Sequence, residues 1–204
     1  MLDKNAIAAA SKTLHDHWRA GTKFSGLDEK LRPHDRIEAY AIQAGIEKYS
    51  SDSLFGWKIA ATSEAGQKHI NVGDPMAGRI LAETVIPDGG TASMAGNEMR
   101  VAEPEFAFRM RVDLPARTTP YTVQQVLDAV DTLHPAIEIP DSRFDDFAPA
   151  PRRSLPTTLA RICSCLVQRH PRTGARAISS KSALSSRCAA SNSSVTAKMY
   201  WAIR

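Results

Sequence analysis

Three glutamates have the residue type and spacing of ligands for a divalent metal. Glu103 and Glu105 lie in a segment, residues 101–110, in which polar and apolar residues alternate with a period of two. Residues two apart in a strand project to the same face, so we expect the two carboxylates about 7 Å apart on one face. Glu138 ends a second short apolar stretch, before turn-like residues. Hard cations such as Mg²⁺ prefer oxygen ligands, and three carboxylates would supply them.

The same pattern has a second interpretation. Charged side chains are usually solvated, so Glu103 and Glu105 could instead lie on the solvent face of an edge strand. On a half-buried face, two carboxylates would repel each other unless an opposite charge lay nearby. Periodicity alone does not decide between these alternatives.

The elements that would position these residues follow from hydrophobic spacing and turn chemistry. The expected helices span about 4–20, 35–49, 64–70 and 122–133, and the expected strands span about 54–61, 79–86, 101–110 and 136–139. A capping box, Thr122 to Gln125, begins the last helix, and His134-Pro135 is expected to end it. The sequence therefore predicts an α+β fold in which the strands carry the polar candidates.

The composition limits the class of protein. With 204 residues, 43% hydrophobic and 24% charged, the chain is expected to form a soluble globular domain with a sizeable core. No apolar run approaches the roughly 18–20 residues needed to span a bilayer, and the first residues lack a signal-peptide core. We therefore expect a cytoplasmic protein with no membrane partner and with its three cysteines reduced.

The charge is divided sharply along the chain. Residues 152–204 contain ten Lys and Arg and no acidic residue, whereas the preceding part carries 16 basic and 22 acidic residues, a net charge of −6. A basic Ser/Arg-rich segment is typical of nucleic-acid binding. A change of reading frame explains the division better, as described below, and we expect no nucleic-acid partner.

Three segments carry a resemblance to a known family. Phe55-Gly56-Trp57-Lys58-Ile59, Ala102 to Phe108 and Ala136 to Arg143 resemble the 2-keto-4-pentenoate hydratase / 2-oxo-hept-4-ene-1,7-dioate hydratase branch of the fumarylacetoacetate hydrolase superfamily, over about residues 5–147. The resemblance implies an N-terminal helical region followed by a mixed β-roll or barrel. It also implies Mg²⁺ or Mn²⁺ held by Glu103, Glu105 and Glu138.

The resemblance further implies an activity. In such hydratases a 2-hydroxy-2,4-dienoate is hydrated to a 4-hydroxy-2-oxo acid during aromatic catabolism, with the cation stabilising charge on the keto oxygen. The alternatives are a decarboxylase of 4-oxalocrotonate-like substrates from the same family and an inactive partner subunit. A homo-oligomer is expected, and so is an association with a related decarboxylase.

Three further residues are candidates on the same grounds. Lys58 matches the family's lysine and is expected to bind a substrate carboxylate or to move protons. Asp74 is the acid nearest to the position where the family carries an aspartate, which is Met76 here. Arg143 is expected to orient a substrate carboxylate, and a structural ion pair with a nearby aspartate is the alternative.

The basic tail is interpreted as a product of a shifted reading frame. When each codon of residues 199–202 is regrouped with the last nucleotide of the one before, the translation is forced to Val-Leu-Gly, which fits a family segment. The same offset applied to residues 154–167 permits a family-like Ala-Asp-Asn-Ala. The predicted organisation is thus an N-terminal α/β region at 1–78, the start of the catalytic β-fold at 79–150 and an aberrant tail at 151–204, which leaves the fold incomplete.

Overall fold

A computed structural model describes residues 1–145 and 198–203 of the chain. Its α-helices are α1 (Lys4–Ala20), α2 (Arg36–Ile46), α3 (Glu64–Ile70) and α4 (Val123–Asp128). Its strands are β1 (Leu54–Ala60), β2 (Met76–Leu81), β3 (Glu103–Met110), β4 (Val130–Glu138) and β5 (Lys198–Ile203). Short 3₁₀ turns occupy Glu29–Leu31, Glu47–Tyr49 and Ala82–Thr84. The predicted mixture of helices and strands is confirmed.

The two N-terminal helices begin at aspartates that cap them. The Asp3 carboxylate accepts a hydrogen bond from the backbone N–H of Ala6, and the Asp35 carboxylate accepts one from that of Glu38. Each bond satisfies a donor that the first turn of a helix leaves without a partner. α1 ends at Gly21, whose left-handed backbone (φ +63°) suits a residue without a side chain.

α1 and α2 pack closely because a glycine lies between them. A Cβ atom at Gly45 would lie 2.2 Å from the Ser11 Oγ atom. The Ser11 hydroxyl is 2.8 Å from the Ile7 carbonyl oxygen and donates across the interface to the Ile42 carbonyl oxygen at 2.7 Å. The core beneath this contact is apolar and buried, and consists of Ala10, Leu14, Leu27, Ile42, Ile46, Leu81 and Phe144.

The five strands form one sheet in the order β2-β1-β5-β3-β4. β5 is antiparallel to β1 and parallel to β3, and β3 is antiparallel to β4. A small buried cluster of Ile80, Ala107 and Ala136 lies on the sheet. β5 comes from the predicted aberrant tail and pairs with both β1 and β3, so these strands do not have the open edges that a truncated fold would leave.

Two predicted elements were wrong in extent. The helix predicted to reach Leu133 ends at Asp128. The strand predicted at 136–139 begins earlier, at Val130, and β4 therefore includes His134 and Pro135. Pairing with β3 overrides the helical spacing of the apolar residues, and Pro135 is tolerated because β4 is an edge strand. Likewise, the strand predicted at 79–86 runs from 76 to 81 and then turns.

The predicted boundaries at residues 78 and 150 stay predictions, and so does the shifted reading frame. Except for β5, the segment from 151 onward lies outside the described residues. None of the helices in the described part of the chain is both long and apolar enough to cross a membrane.

Candidate metal centre

The sheet brings the three glutamates together at one end of the β3–β4 pair. Glu103 lies directly opposite Glu138, and Glu105 lies opposite Ala136. One carboxylate oxygen of each glutamate lies within 4.8 Å of those of the other two. Two oxygens bound to one cation are at most about 4.2 Å apart for Mg²⁺ and about 5 Å apart for Ca²⁺, so the cluster is near the size of such a site and would contract around Mg²⁺.

Burial increases steadily across the cluster. Glu103 is exposed, Glu105 is half-buried, and Glu138 is only 2% exposed. Ala107, two residues beyond Glu105 on the same strand face, is fully buried. β3 is an inner strand and not the edge strand that the solvent-face interpretation assumed. Glu103 is nonetheless exposed, and the role of the three glutamates as metal ligands stays a prediction.

Lys58 supplies the compensating positive charge. It is 9% exposed on β1, and its Nζ atom donates a hydrogen bond to the Oε1 atom of Glu138, forming a buried ion pair. Two strands lie between β1 and β4, so on a flat sheet the two backbones would be roughly 14 Å apart. The contact therefore requires the sheet to curve until β1 faces β4 across its concave side.

The donor set suits a hard divalent cation. All three acidic groups offer oxygen, which is the donor atom that hard cations prefer. Carboxylates alone are also the donor chemistry that discriminates against soft metals.

Asp74 and Met76 lie elsewhere. The Asp74 carboxylate is 74% exposed in the turn before β2, and the atom that contacts it is Nη1 of Arg36, at 3.2 Å. Met76, in the position where the family carries an acid, is fully buried at the start of β2. The structure does not bring Asp74 into the carboxylate cluster, and its predicted catalytic role stays a prediction.

Arg143 follows β4 and is 6% exposed. Its Nε and Nη1 atoms are buried, with no hydrogen-bond partner in the described part of the chain. Asp141, one of the aspartates considered for a structural ion pair, contacts Lys23. The predicted role of Arg143 in substrate binding stays a prediction.

The sequence predicted neither the ion pair between Lys58 and Glu138 nor the ion pair between Lys23 and Asp141. A lysine in an otherwise apolar strand was a usable signal, because a buried ammonium needs an acidic partner. The partner could not be named, since the sequence does not show how the sheet curves.

The sequence of the chain is similar to those of several enzymes of known activity. No protein-family model matches the chain. A 2-keto-4-pentenoate hydratase of Burkholderia vietnamiensis is 30% identical over 150 residues, which is 72% of this chain and 56% of that protein. A 2-hydroxyhexa-2,4-dienoate hydratase of Comamonas testosteroni is 29% identical over 170 residues, 81% of this chain and 62% of that protein. A 4-oxalocrotonate decarboxylase of a Pseudomonas species is 32% identical over 132 residues, 65% of this chain and 44% of that protein.

Solved structures agree at the level of the fold. The 4-oxalocrotonate decarboxylase from Pseudomonas putida G7, complexed with magnesium and adipate, superposes with a TM-score of 0.69 at 18% identity, over 82% of this chain and 64% of that one. The same enzyme complexed with calcium and acetate gives a TM-score of 0.67. The described fold is therefore that of the decarboxylase.

The chain is a homologue of the 2-keto-4-pentenoate hydratases and of 4-oxalocrotonate decarboxylase, and the family resemblance inferred from its motifs is confirmed. The chain spans roughly half to three fifths of the length of the curated hydratases that it matches.

Proposed function

We propose that this chain derives from, and retains the metal centre of, an enzyme that hydrates a 2-hydroxy-2,4-dienoate to a 4-hydroxy-2-oxo acid in the cytoplasm. The observation that carries the proposal is the convergence of three carboxylates within 4.8 Å beside a buried lysine. The names of the hydratase relatives and the magnesium or calcium in the structural neighbours support it.

In the proposed site, Glu103, Glu105 and Glu138 would hold Mg²⁺ or Mn²⁺. When bound, the cation would supply Lewis-acid stabilisation of negative charge on the keto oxygen of a 2-oxo acid. The three carboxylates also make the metal-free site negative, which disfavours binding of the anionic substrate before the cation.

Lys58 has two roles in the proposal. As an ammonium beside Glu138, it holds that carboxylate in place and offers a positive charge to a substrate carboxylate. After passing its proton to the hydrogen-bonded Glu138 carboxylate, the neutral Nζ atom would be a base that takes the O–H proton of the dienol and then delivers that proton to carbon. Its burial restricts the exchange of this proton with bulk water.

The proposed substrate is a small 2-oxo or 2-hydroxydienoate acid, and the proposed assembly is a homo-oligomer that associates with a related decarboxylase. The names of the relatives support the proposed substrate class, and they belong to proteins that are longer than this chain. The proposed assembly is carried over from the family resemblance alone. The activity of the 204-residue chain is thus a proposal of its own, separate from that of its metal centre.

The test is a dienoate-hydration assay with Mg²⁺ or Mn²⁺ on this chain and on a version in which the reading frame is restored after about residue 150. Loss of dienoate absorbance without CO₂ release is the expected result, and Glu105→Gln should abolish it. Stoichiometric CO₂ release from 4-oxalocrotonate would identify a decarboxylase instead. A restored protein that is inactive on every dienoate, but co-purifies with an active decarboxylase, would indicate a partner subunit and refute the proposal.

A further inference from the structure

We propose that Lys23 and Asp141 form a clamp that sets the spacing of the metal-binding carboxylates, and that both act as positioning residues for the cation. The inference rests on the proposed metal centre. It assigns a function to an ion pair that lies outside the carboxylate cluster and joins three separate segments of the chain.

Asp141 is the centre of the clamp. Its Oδ2 atom accepts a hydrogen bond from Lys23 Nζ. Its Oδ1 atom accepts from the backbone N–H groups of Glu98 at 3.1 Å and Met99 at 3.5 Å. One half-buried carboxylate thus ties the segment that precedes β3 to the segment that follows β4.

The Asp141 contacts lie close in sequence to two of the three glutamates. Asp141 comes three residues after Glu138, and Met99 comes four residues before Glu103. These two glutamates lie opposite each other at the ends of their strands. Few residues separate the clamp from each of these two glutamates. If the clamp opened, the strand ends could move apart, and the distance between the carboxylates would then no longer be fixed.

A second side chain reinforces the same junction. The Asn97 Nδ2 atom donates to the Pro140 carbonyl oxygen at 3.0 Å, and its Oδ1 atom accepts from the Arg100 backbone N–H at 2.7 Å. Arg100 has a left-handed backbone (φ +48°), which is uncommon for a residue with a side chain. The turn before β3 is therefore held in its shape by side-chain hydrogen bonds, three of which reach across to the β4 side.

Lys23 connects the junction to the helical layer. Besides the Asp141 carboxylate, its Nζ atom contacts the Ser142 carbonyl oxygen. The next residue, Phe24, donates its N–H to the Arg143 carbonyl oxygen at 3.1 Å, and its ring lies 4.9 Å from that of the buried Phe144. The segment after α1 thus fixes the loop after β4, and the loop fixes the turn before β3.

The ion pair between Lys23 and Asp141 is largely buried, so water cannot readily replace either side chain. The side chains of Lys23 and Asp141 are 15% and 21% exposed. Without the ammonium, Asp141 would keep its two backbone donors but lose the Lys23 hydrogen bond, and the Ser142 carbonyl oxygen would lose a charged donor. Loss of partners that orient metal ligands typically lowers metal affinity by about 10- to 100-fold.

The experiment is a Mn²⁺ titration of the 204-residue metal-free protein, monitored by calorimetry and by the electron paramagnetic resonance spectrum of the bound ion. Lys23→Met and Asp141→Asn should each weaken Mn²⁺ binding by about 10- to 100-fold. Lys23→Arg should restore most of the affinity, since it keeps a cation at that position. The matched controls are Arg79→Met and Glu47→Gln, which break a comparably buried ion pair, with side chains 19% and 35% exposed, between β2 and the turn after α2.

The outcomes separate the clamp from the proposed function. If the unaltered protein does not bind Mn²⁺, the proposed metal centre fails and the clamp with it. If the unaltered protein binds, and Lys23→Met and Asp141→Asn bind equally well, the clamp alone is overturned. Equal losses in the clamp variants and in the controls would also overturn it, because they would indicate general destabilisation. Circular dichroism and urea unfolding of each variant identify any that does not fold. For such a variant, the Mn²⁺ affinities of the conservative variants Lys23→Arg and Asp141→Glu are compared instead, and equal affinity in Asp141→Glu and the unaltered protein would overturn the clamp.

Discussion

Replacing Lys58 by methionine tests the electrostatics of the carboxylate cluster directly. The substitution keeps most of the side-chain length and removes the ammonium from a pair whose members are 9% and 2% exposed. Removing one partner of a buried ion pair typically costs about 3–5 kcal/mol, because the other charge stays buried without compensation. Here the remaining charge is Glu138, which also lies within 4.8 Å of two other carboxylates, so we expect a cost in the upper part of that range.

Urea unfolding of the metal-free protein measures this cost. With an m-value of about 2 kcal/mol/M, the midpoint should fall by about 2 M relative to the unaltered protein. A second substitution, Glu138→Gln in the Lys58→Met background, removes the buried carboxylate charge and should recover part of the loss. Lys12→Met, which breaks an exposed pair on α1, is the control and should change the midpoint little.

The response to metal completes this test. At a Mn²⁺ concentration of about 100 times its Kd, a protein gains about 2.7 kcal/mol of stability. Lys58→Met should gain more than the unaltered protein at the same concentration, because the ion then also replaces the missing ammonium beside Glu138. A midpoint unchanged by Lys58→Met, or a double variant less stable than the single one, would refute the reasoning.

Three further predictions concern other parts of the chain. The pKa of Glu38 is lowered to about 2, chiefly by the backbone N–H of His34, so the ionised carboxylate stabilises the fold above its ordinary pKa of 4.5. This contribution should be lost as the pH falls from about 4.5 towards 2, and Glu38→Gln should flatten that part of the curve of urea midpoint against pH. Asp74→Asn should leave Mn²⁺ affinity unchanged in calorimetry, because the carboxylate is exposed and pairs with an arginine, and a tenfold loss would place it at the metal. Gly45→Ala should destabilise the protein by about 1–3 kcal/mol in urea unfolding, because the new methyl group would overlap the Ser11 hydroxyl; an unchanged midpoint would show that α1 and α2 can separate at no cost.

Much of the candidate site could be predicted because its residues are local in sequence. Alternation in residues 101–110 is enough to place Glu103 and Glu105 on one strand face, and the turn after Glu138 predicts a strand end there. The register that sets Glu103 opposite Glu138 could not be derived, because a single sequence does not show which strands pair. For the same reason, the partners of Lys58 and Asp141 emerged only from the structure.

The errors in the fold have a similar origin. Residues 123–133 place apolar side chains at positions three and four apart, which suits a helix and shows no period of two. Pairing with β3 overrides this spacing, and it involves residues about 25 positions away along the chain. By contrast, the N-terminal helices depend on local caps such as Asp3 and Asp35, and their starts were predicted closely.

The position of β5 has a consequence for biosynthesis. It pairs Gly56 with Ile203 and Trp57 with Ala202, residues more than 140 positions apart, and it is the element through which β1 and β3 join one sheet. During translation the helical layer and the β1–β2 hairpin are complete long before this strand leaves the ribosome. Until then β1 and β3 each present an open edge, the kind of surface on which nascent chains aggregate. Contacts this distant also slow folding, so the yield of folded protein should depend on how long these edges stay protected, for instance by a chaperone.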